Sequence, residues 1–174
     1  MRPLSESKAL QVLNKIRSGF TSIIQRRYEH CAAPCTSCKT PGACCLDEHF
    51  VNVRITRLEA KAIDEALKSL PPEMTEKVCL RIENAIEKYD LSEPLSETYA
   101  CPLFEKGIGC LVHETAKPLP CIAHACYERK EDLPPDELLA AREAEIDKLN
   151  ERVYGKVAFL PIPLAVRNAK ARTK

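Results

Sequence analysis

The chain has 174 residues, of which 45% are hydrophobic, a length and composition that suit one domain with its own hydrophobic core. Its net charge of +1 provides no single-sign field that would attract nucleic acid or an anionic membrane. The first residues do not have the pattern of a signal peptide, and no run of about 18 uncharged apolar residues occurs. We therefore predict a single domain over residues 1–174, located in the cytoplasm, that neither spans a membrane nor binds nucleic acid.

Helical periodicity covers most of the chain outside two cysteine-rich regions. In the first segment, apolar residues such as Leu13 and Phe20 recur at intervals of three and four residues, which is typical of an amphipathic helix. Thr56 and Glu59 have the spacing of a capping box, and Pro72 suits the first turn of a further helix. Four long helices are predicted, over residues 5–29, 57–70, 72–89 and 134–152. The predicted fold is mainly α.

Short extended or irregular segments are predicted between these helices and after the last one. Residues 50–55 favour a short strand, and residues 91–99 read as a polar connector. Gly107 and Gly109 suit a tight turn, so that Cys101 and Cys110 would lie opposite each other on a small hairpin. In the C-terminal segment, two prolines exclude a central strand and predict an extended conformation before a frayed basic tail.

The first cysteine-rich region, residues 31–45, contains five of the ten cysteines. In a reducing compartment such thiols remain available for metal binding or redox chemistry instead of forming disulfides. Cys35 and Cys38 are separated by two residues, the spacing with which two sulfurs chelate one metal. Cys44 and Cys45 are adjacent, and adjacent side chains diverge in an extended chain. They indicate either two sites that share this loop or one ligand beside a buried thiol.

The second cysteine-rich region, residues 100–127, contains four cysteines: Cys101, Cys110, Cys121 and Cys126. Their intervals match no small zinc module, so we expect them to complete a site begun in the first region. A short helix over residues 121–129 would place Cys121 and His124 on one face. Cys79, inside the predicted helix 72–89, is interpreted as a buried structural thiol instead of a ligand.

The spacing of Cys31, Cys35 and Cys38 also occurs in radical S-adenosylmethionine enzymes, where three cysteines bind a four-iron cluster. That enzyme class is rejected, because the motif follows a helix and the last cysteine is preceded by Ser37 instead of an aromatic residue. Too little chain follows for a βα barrel. The iron–sulfur chemistry itself stays under consideration.

The order of the two regions resembles the YkgJ-like family of cysteine-cluster proteins, also described as zinc- or iron-chelating CxxCxxCC domains. The first half of the resemblance comprises Cys35, Cys38, Cys44 and Cys45. The second half is the run Cys101-Pro-Leu-Phe, followed by Gly109-x-Cys110 and Pro118-x-x-Cys121. The resemblance covers residues 35–126, and it implies a bound zinc or iron centre, with iron–sulfur clusters attributed to some members and flagellin lysine methylases among the relatives.

Three features depart from the family pattern. The spacer between Cys38 and Cys44 is longer than usual, His113 stands where tyrosine is common, and Lys117 replaces the arginine before Pro118. These departures leave the role of His113 open, as well as any substrate or partner contact that the missing arginine makes in the family.

The leading hypothesis is a cysteine-ligated metalloprotein that binds an iron–sulfur cluster, or iron, between the two regions, with a redox or metal-handling role. The alternatives are a structural zinc protein that binds a protein partner, an enzyme related to the methylases, and a helical domain with unligated thiols. The sequence shows no glycine-rich cofactor loop and no nucleophile–base pair, so no catalytic residues are assigned. The roles of Cys31, His113 and His124 stay open. The predicted ligands are Cys35, Cys38, Cys44, Cys45, Cys101, Cys110, Cys121 and Cys126.

Overall fold

The computed structural model of the chain describes residues 3–33, 38–47, 51–91 and 98–171. These residues form eight α-helices and only short antiparallel strand pairs, which confirms a mainly α fold. None of the described helices combines the length and the apolar character needed to cross a membrane. The helices are α1 (Glu6–Arg27), α2 (Ala43–Leu46), α3 (Arg57–Lys68), α4 (Pro72–Lys88), α5 (His113–Ala116), α6 (Leu119–Ala123), α7 (Asp136–Tyr154) and α8 (Ile162–Ala171).

Six strands of two residues each pair antiparallel within the described residues. The pairs are β1 (Ala32–Ala33) with β5 (Cys126–Tyr127), β2 (Arg54–Ile55) with β6 (Leu160–Pro161), and β3 (Phe104–Glu105) with β4 (Gly109–Cys110). The chain divides into two compact units, unit 1 (Met1–Pro41 and Pro118–Val157) and unit 2 (Gly42–Lys117 and Ala158–Lys174). The single domain expected from the sequence stays a prediction.

Unit 1 is built on the long helix α1, which packs against α6 and α7. The helix begins after Ser5, whose hydroxyl accepts a hydrogen bond from the N–H of Lys8 at 3.4 Å, and it continues unbroken past Gly19. Leu13, Phe20 and other apolar residues of its predicted inner face are buried. The predicted helices over 5–29 and 134–152 are therefore confirmed as α1 and α7.

The helix expected over residues 121–129 is wrong. Instead α6 ends at Ala123, His124 has extended backbone angles, and Cys126 begins the strand β5. Pro118 is the N-cap of this helix of five residues and Pro120 falls in its first turn, and after the helix β5 pairs with β1. Cys126 thereby lies opposite Ala33.

Unit 2 contains α3, α4 and α8, whose apolar faces form its core. The capping box is confirmed: the Thr56 hydroxyl accepts from the N–H of Glu59 at 3.2 Å, and the Glu59 carboxylate accepts from the N–H of Thr56 at 2.9 Å. Helix α4 starts at Pro72 as predicted. It buries the inward residues expected from the sequence, namely Val78, Ile82, Ala85 and Ile86.

The C-terminal segment corrects a second expectation, since it forms a helix instead of an extended chain. Pro161 ends the short strand β6, and Pro163 is the second residue of α8. A proline there costs no hydrogen bond, because the first four N–H groups of a helix have no partner within it. The helix buries Ile162, Leu164 and Val166 and packs against α3 and α4.

Tyr99, placed by the sequence in a polar connector, is a core residue with only 1% of its surface exposed. Its hydroxyl donates to the carbonyl of Val53 and accepts from the N–H of Ile162 at 3.1 Å. Of the expected connector, residues 92–97 lie outside the described part of the chain, as does Phe50 of the expected strand. Tyr99 thus ties the segment before α3 to the start of α8.

Candidate metal site

The predicted ligands that the structure describes fall into two groups, one in each unit. Cys38, Cys121 and Cys126 belong to unit 1, and Cys35 lies outside the described residues. The second group, which we name the Cys45 cluster, consists of Cys44, Cys45, Cys101 and Cys110 in unit 2. It takes two residues from each cysteine-rich region.

Helix α2 carries Cys44 and Cys45 on a single turn. The turn starts at Gly42, which has the left-handed φ of 84°. The ring of Phe104 lies against this glycine, so that a Cβ there would be 2.1 Å from Cζ of the ring. Neighbouring residues of a helix are separated by about 100°, far less than in a strand. The divergence expected for an extended chain therefore does not apply to this pair, and the choice between two sites and one ligand beside a buried thiol stays a prediction.

Cys101 is positioned by the backbone of Cys45. Its N–H donates to the Cys45 carbonyl at 2.8 Å, a good hydrogen-bond distance, and its own carbonyl accepts from the N–H of Phe104 at 3.4 Å. This contact joins the end of the first cysteine-rich region directly to the start of the second. It fixes the two segments side by side within unit 2.

The strand pair β3–β4 positions Cys110. Cys110 lies opposite Phe104, not opposite Cys101 as the sequence predicted, because the turn is centred on Gly107 and the register follows from that. Arg81 of α4 anchors β3 through its Nη1 atom, which donates to the Phe104 carbonyl at 2.8 Å and to the Glu105 carboxylate at 2.9 Å. Arg81 and Phe104 therefore support the cluster. Phe104 ends the Cys101-Pro-Leu-Phe run noted in the sequence, whereas no sequence motif marked Arg81.

The thiols of the Cys45 cluster influence one another. The pKa of Cys45 is raised from its ordinary value of 9.0 to about 12, mainly by burial and in addition by the nearby thiols of Cys101, Cys44 and Cys110. Burial also raises the pKa of Cys110, while a hydrogen bond with the backbone of Val112 and, to a smaller extent, the charge of Lys117 oppose that increase. In the metal-free protein these two thiols are therefore protonated at neutral pH, and binding a metal must release their protons.

The chemistry of this donor set fits a thiophilic metal. Four sulfur ligands suit zinc, iron or an iron–sulfur cluster, and two regions of the chain supply them. Among the described residues, however, no three His, Cys, Asp or Glu side chains already have the arrangement of ligands around one metal ion. A bound metal would thus require these side chains to rearrange.

The cysteines of unit 1 have different surroundings. The Cys31 thiol donates to the carboxylate of Asp132, which also accepts two hydrogen bonds of 2.7 Å from Arg129. These contacts with Arg129 are the main cause that lowers the pKa of Asp132. The Sγ atom of Cys38 lies 3.9 Å from the hydroxyl of Thr40. Cys31 and Cys38 thus each have an oxygen-bearing side chain beside the thiol.

The two histidines considered as ligands are both exposed. His113 begins α5, with Nε2 3.6 Å from the carboxylate of Glu114. His124 follows the last residue of α6, so that it does not share a helical face with Cys121 as the sequence predicted. The interpretation of Cys79 also changes, since its thiol is half-buried and lies 2.8 Å from Nζ of Lys170.

Comparisons of the chain with models of known protein families, with curated proteins and with solved structures gave no match. The likeness to the YkgJ-like family accordingly stays a prediction from the sequence.

Proposed function

We propose that the protein is a cysteine-ligated metalloprotein in which the Cys45 cluster binds an iron–sulfur cluster or iron. The proposal is supported by the 2.8 Å hydrogen bond from the Cys101 N–H to the Cys45 carbonyl, which joins the two cysteine-rich regions. A bound iron centre would supply one-electron redox chemistry, so the proposed role is redox or metal handling. Cys35, Cys38, Cys121 and Cys126 stay ligands predicted from the sequence.

Structural zinc is the alternative for the same residues. Thiolates bind zinc as readily as iron, and zinc would close the loops around Cys45 without adding redox activity, leaving the surface to a protein partner. Both proposals include a cytoplasmic location, because a reducing compartment keeps cysteines available as ligands.

Anaerobic purification followed by elemental analysis and visible absorption spectroscopy tests the proposal. We expect stoichiometric iron and a broad visible absorbance that dithionite bleaches. Colourless protein with stoichiometric zinc would establish the structural alternative, and protein that binds neither metal would contradict both.

A pair of variants tests the assignment to the Cys45 cluster. Cys101→Ser should lose the metal and lower stability together, since the free energy of metal binding contributes to the free energy of folding. Cys79→Ser, elsewhere in unit 2, should keep the metal and serves as the matched control. Equal metal contents in the two variants would show that Cys101 is not a ligand.

A further inference from the structure

Cys79 and Lys170 form a close pair of nucleophilic side chains outside the proposed metal site. Nζ of Lys170 donates to Sγ of Cys79 at 2.8 Å, as short as an ordinary N–H···O bond although sulfur is the larger atom. Cys79 lies on α4, and Lys170 lies in the last turn of α8. Both residues are only partly buried, so a small oxidant can reach the thiol.

We propose that Cys79 and Lys170 are the two ends of a reversible oxidative cross-link, an S–N bond that forms when a hydroperoxide oxidises the Cys79 thiol. The oxidant belongs to the class of hydrogen peroxide and small organic hydroperoxides. The cross-link does not depend on the metal proposal, since neither residue belongs to the Cys45 cluster.

The first step oxidises sulfur. The Cys79 thiolate attacks one oxygen of hydrogen peroxide, the O–O bond breaks, and Cys79 becomes a sulfenic acid while hydroxide leaves. The ammonium of Lys170, already in contact with this sulfur, gives a proton to the leaving hydroxide and forms water. Lys170 is then a neutral amine next to an electrophilic sulfur.

The second step forms the cross-link. The lone pair of the Lys170 nitrogen attacks the Cys79 sulfur, the S–O bond breaks, and the hydroxyl leaves as a second water with a proton from the nitrogen. A sulfenic acid is known to condense with a nitrogen nucleophile in this way. In total the thiol and the amine lose two hydrogens, and one peroxide is reduced to two waters. A thiol reductant reverses the link by attack on the sulfur.

The cross-link would connect α4 covalently to the C-terminal turn of α8. Helix α8 already packs against α4 through buried residues such as Val166. The link would hold that packing in place without moving either helix far, because the two atoms are in contact beforehand. We therefore expect oxidation to raise the thermal stability of unit 2, and reduction to return it to the starting value.

Peptide mapping after oxidation tests the proposal. The full-length protein is treated with hydrogen peroxide, the remaining thiols are alkylated, and a protease that does not cleave at lysine releases the segments for tandem mass spectrometry. We expect a peptide that joins the two helices and has lost two hydrogens, and we expect dithiothreitol to eliminate it. Disappearance of free Cys79 without this peptide would overturn the proposal, as would a Cys79 that peroxide leaves unchanged.

Lys170→Arg is the matched control. It retains a positive charge and N–H donors next to Cys79, but its guanidinium does not lose a proton and cannot attack sulfur. We expect complete loss of the cross-linked peptide and accumulation of Cys79 sulfinic and sulfonic acids in its place. If arginine impairs folding, as judged by thermal denaturation, Lys170→Gln removes the amine instead. A stability gain on oxidation that either variant shares with the wild type would contradict the cross-link.

Discussion

The cysteines of the two units differ in how the fold surrounds them. In unit 2, Cys45 interacts with Cys44, Cys101 and Cys110, and main-chain hydrogen bonds position the segments that carry them. In unit 1, the described contacts of Cys31 and Cys38 are made with Asp132 and Thr40. The comparison shows that the Cys45 cluster combines an adjacent pair, Cys44 and Cys45, with two thiols far away in the sequence, which only the packing of the segments brings to it.

The largest expected effect is a loss of metal that depends on the unit. Cys101→Ser should lower the metal content of the purified protein by about tenfold or more, because it removes one of the four proposed sulfur ligands of the Cys45 cluster. Cys38→Ser in unit 1 should lower it by less than about twofold. Inductively coupled plasma mass spectrometry on anaerobically prepared samples measures both.

The metal content of Cys38→Ser also tests whether the cysteines of unit 1 contribute ligands. If Cys38→Ser lost as much metal as Cys101→Ser, the predicted ligands of both units would have to contribute to metal binding. The assignment of the metal to the Cys45 cluster alone would then be wrong, and the full set of cysteines predicted from the sequence would be favoured.

The next largest effect concerns the glycine that begins helix α2. Gly42→Ala should destabilise the protein by at least about 2 kcal/mol, because an alanine is strained at a φ of 84° and its Cβ would overlap the ring of Phe104. Gly19→Ala is the control in unit 1, where the added Cβ meets nothing within 4 Å. Inside a helix this change should stabilise by about 0.5–1 kcal/mol. Urea denaturation gives both values.

Alkaline pH should weaken the metal-free protein through the Cys45 cluster. The pKa of Cys45 is about 12 in the fold, compared with an ordinary value of 9.0. Its contribution is therefore fully present below about pH 9 and is lost as the pH rises toward 12, since the unfolded thiol ionises first. Cys45→Ser should make the decrease in unfolding free energy between about pH 8 and pH 10 shallower. An unchanged slope would contradict the shift.

Much of the fold could be predicted from local patterns. The starts of α3 and α4 follow from the Thr56–Glu59 capping box and from Pro72, and the residues that α4 buries follow from helical periodicity. The C-terminal helix was missed, because Pro161 and Pro163 were interpreted as breaking regular structure. Their effect depends on position, and Pro163 falls in the first turn of a helix, where it costs nothing.

The candidate site could be predicted only in part. Residue types and the order of the two regions identified Cys44, Cys45, Cys101 and Cys110 among the predicted ligands. The support from Arg81 and Phe104 could not be predicted, because it depends on contacts between segments far apart in the sequence. The helical turn of α2 was also unexpected, since a four-residue helix is too short to have a recognisable period.

The smallest effect is expected for Asp132 in unit 1. Asp132→Asn removes the charge that pairs with Arg129, whose side chain is 65% exposed, and exposed ion pairs contribute little to stability. Because the pKa of Asp132 is lowered in the fold, its contribution is present above its ordinary value of 3.8 and is lost as the pH falls below it. Wild type and variant should therefore differ slightly in urea denaturation at neutral pH, and their stabilities should converge in acid.

The metal contents of wild type and Asp132→Asn should be equal, since the Cys31 thiol that loses this carboxylate partner is not a proposed ligand. A variant that lost metal would bring Cys31 into the metal site and remove the distinction between the two groups of cysteines.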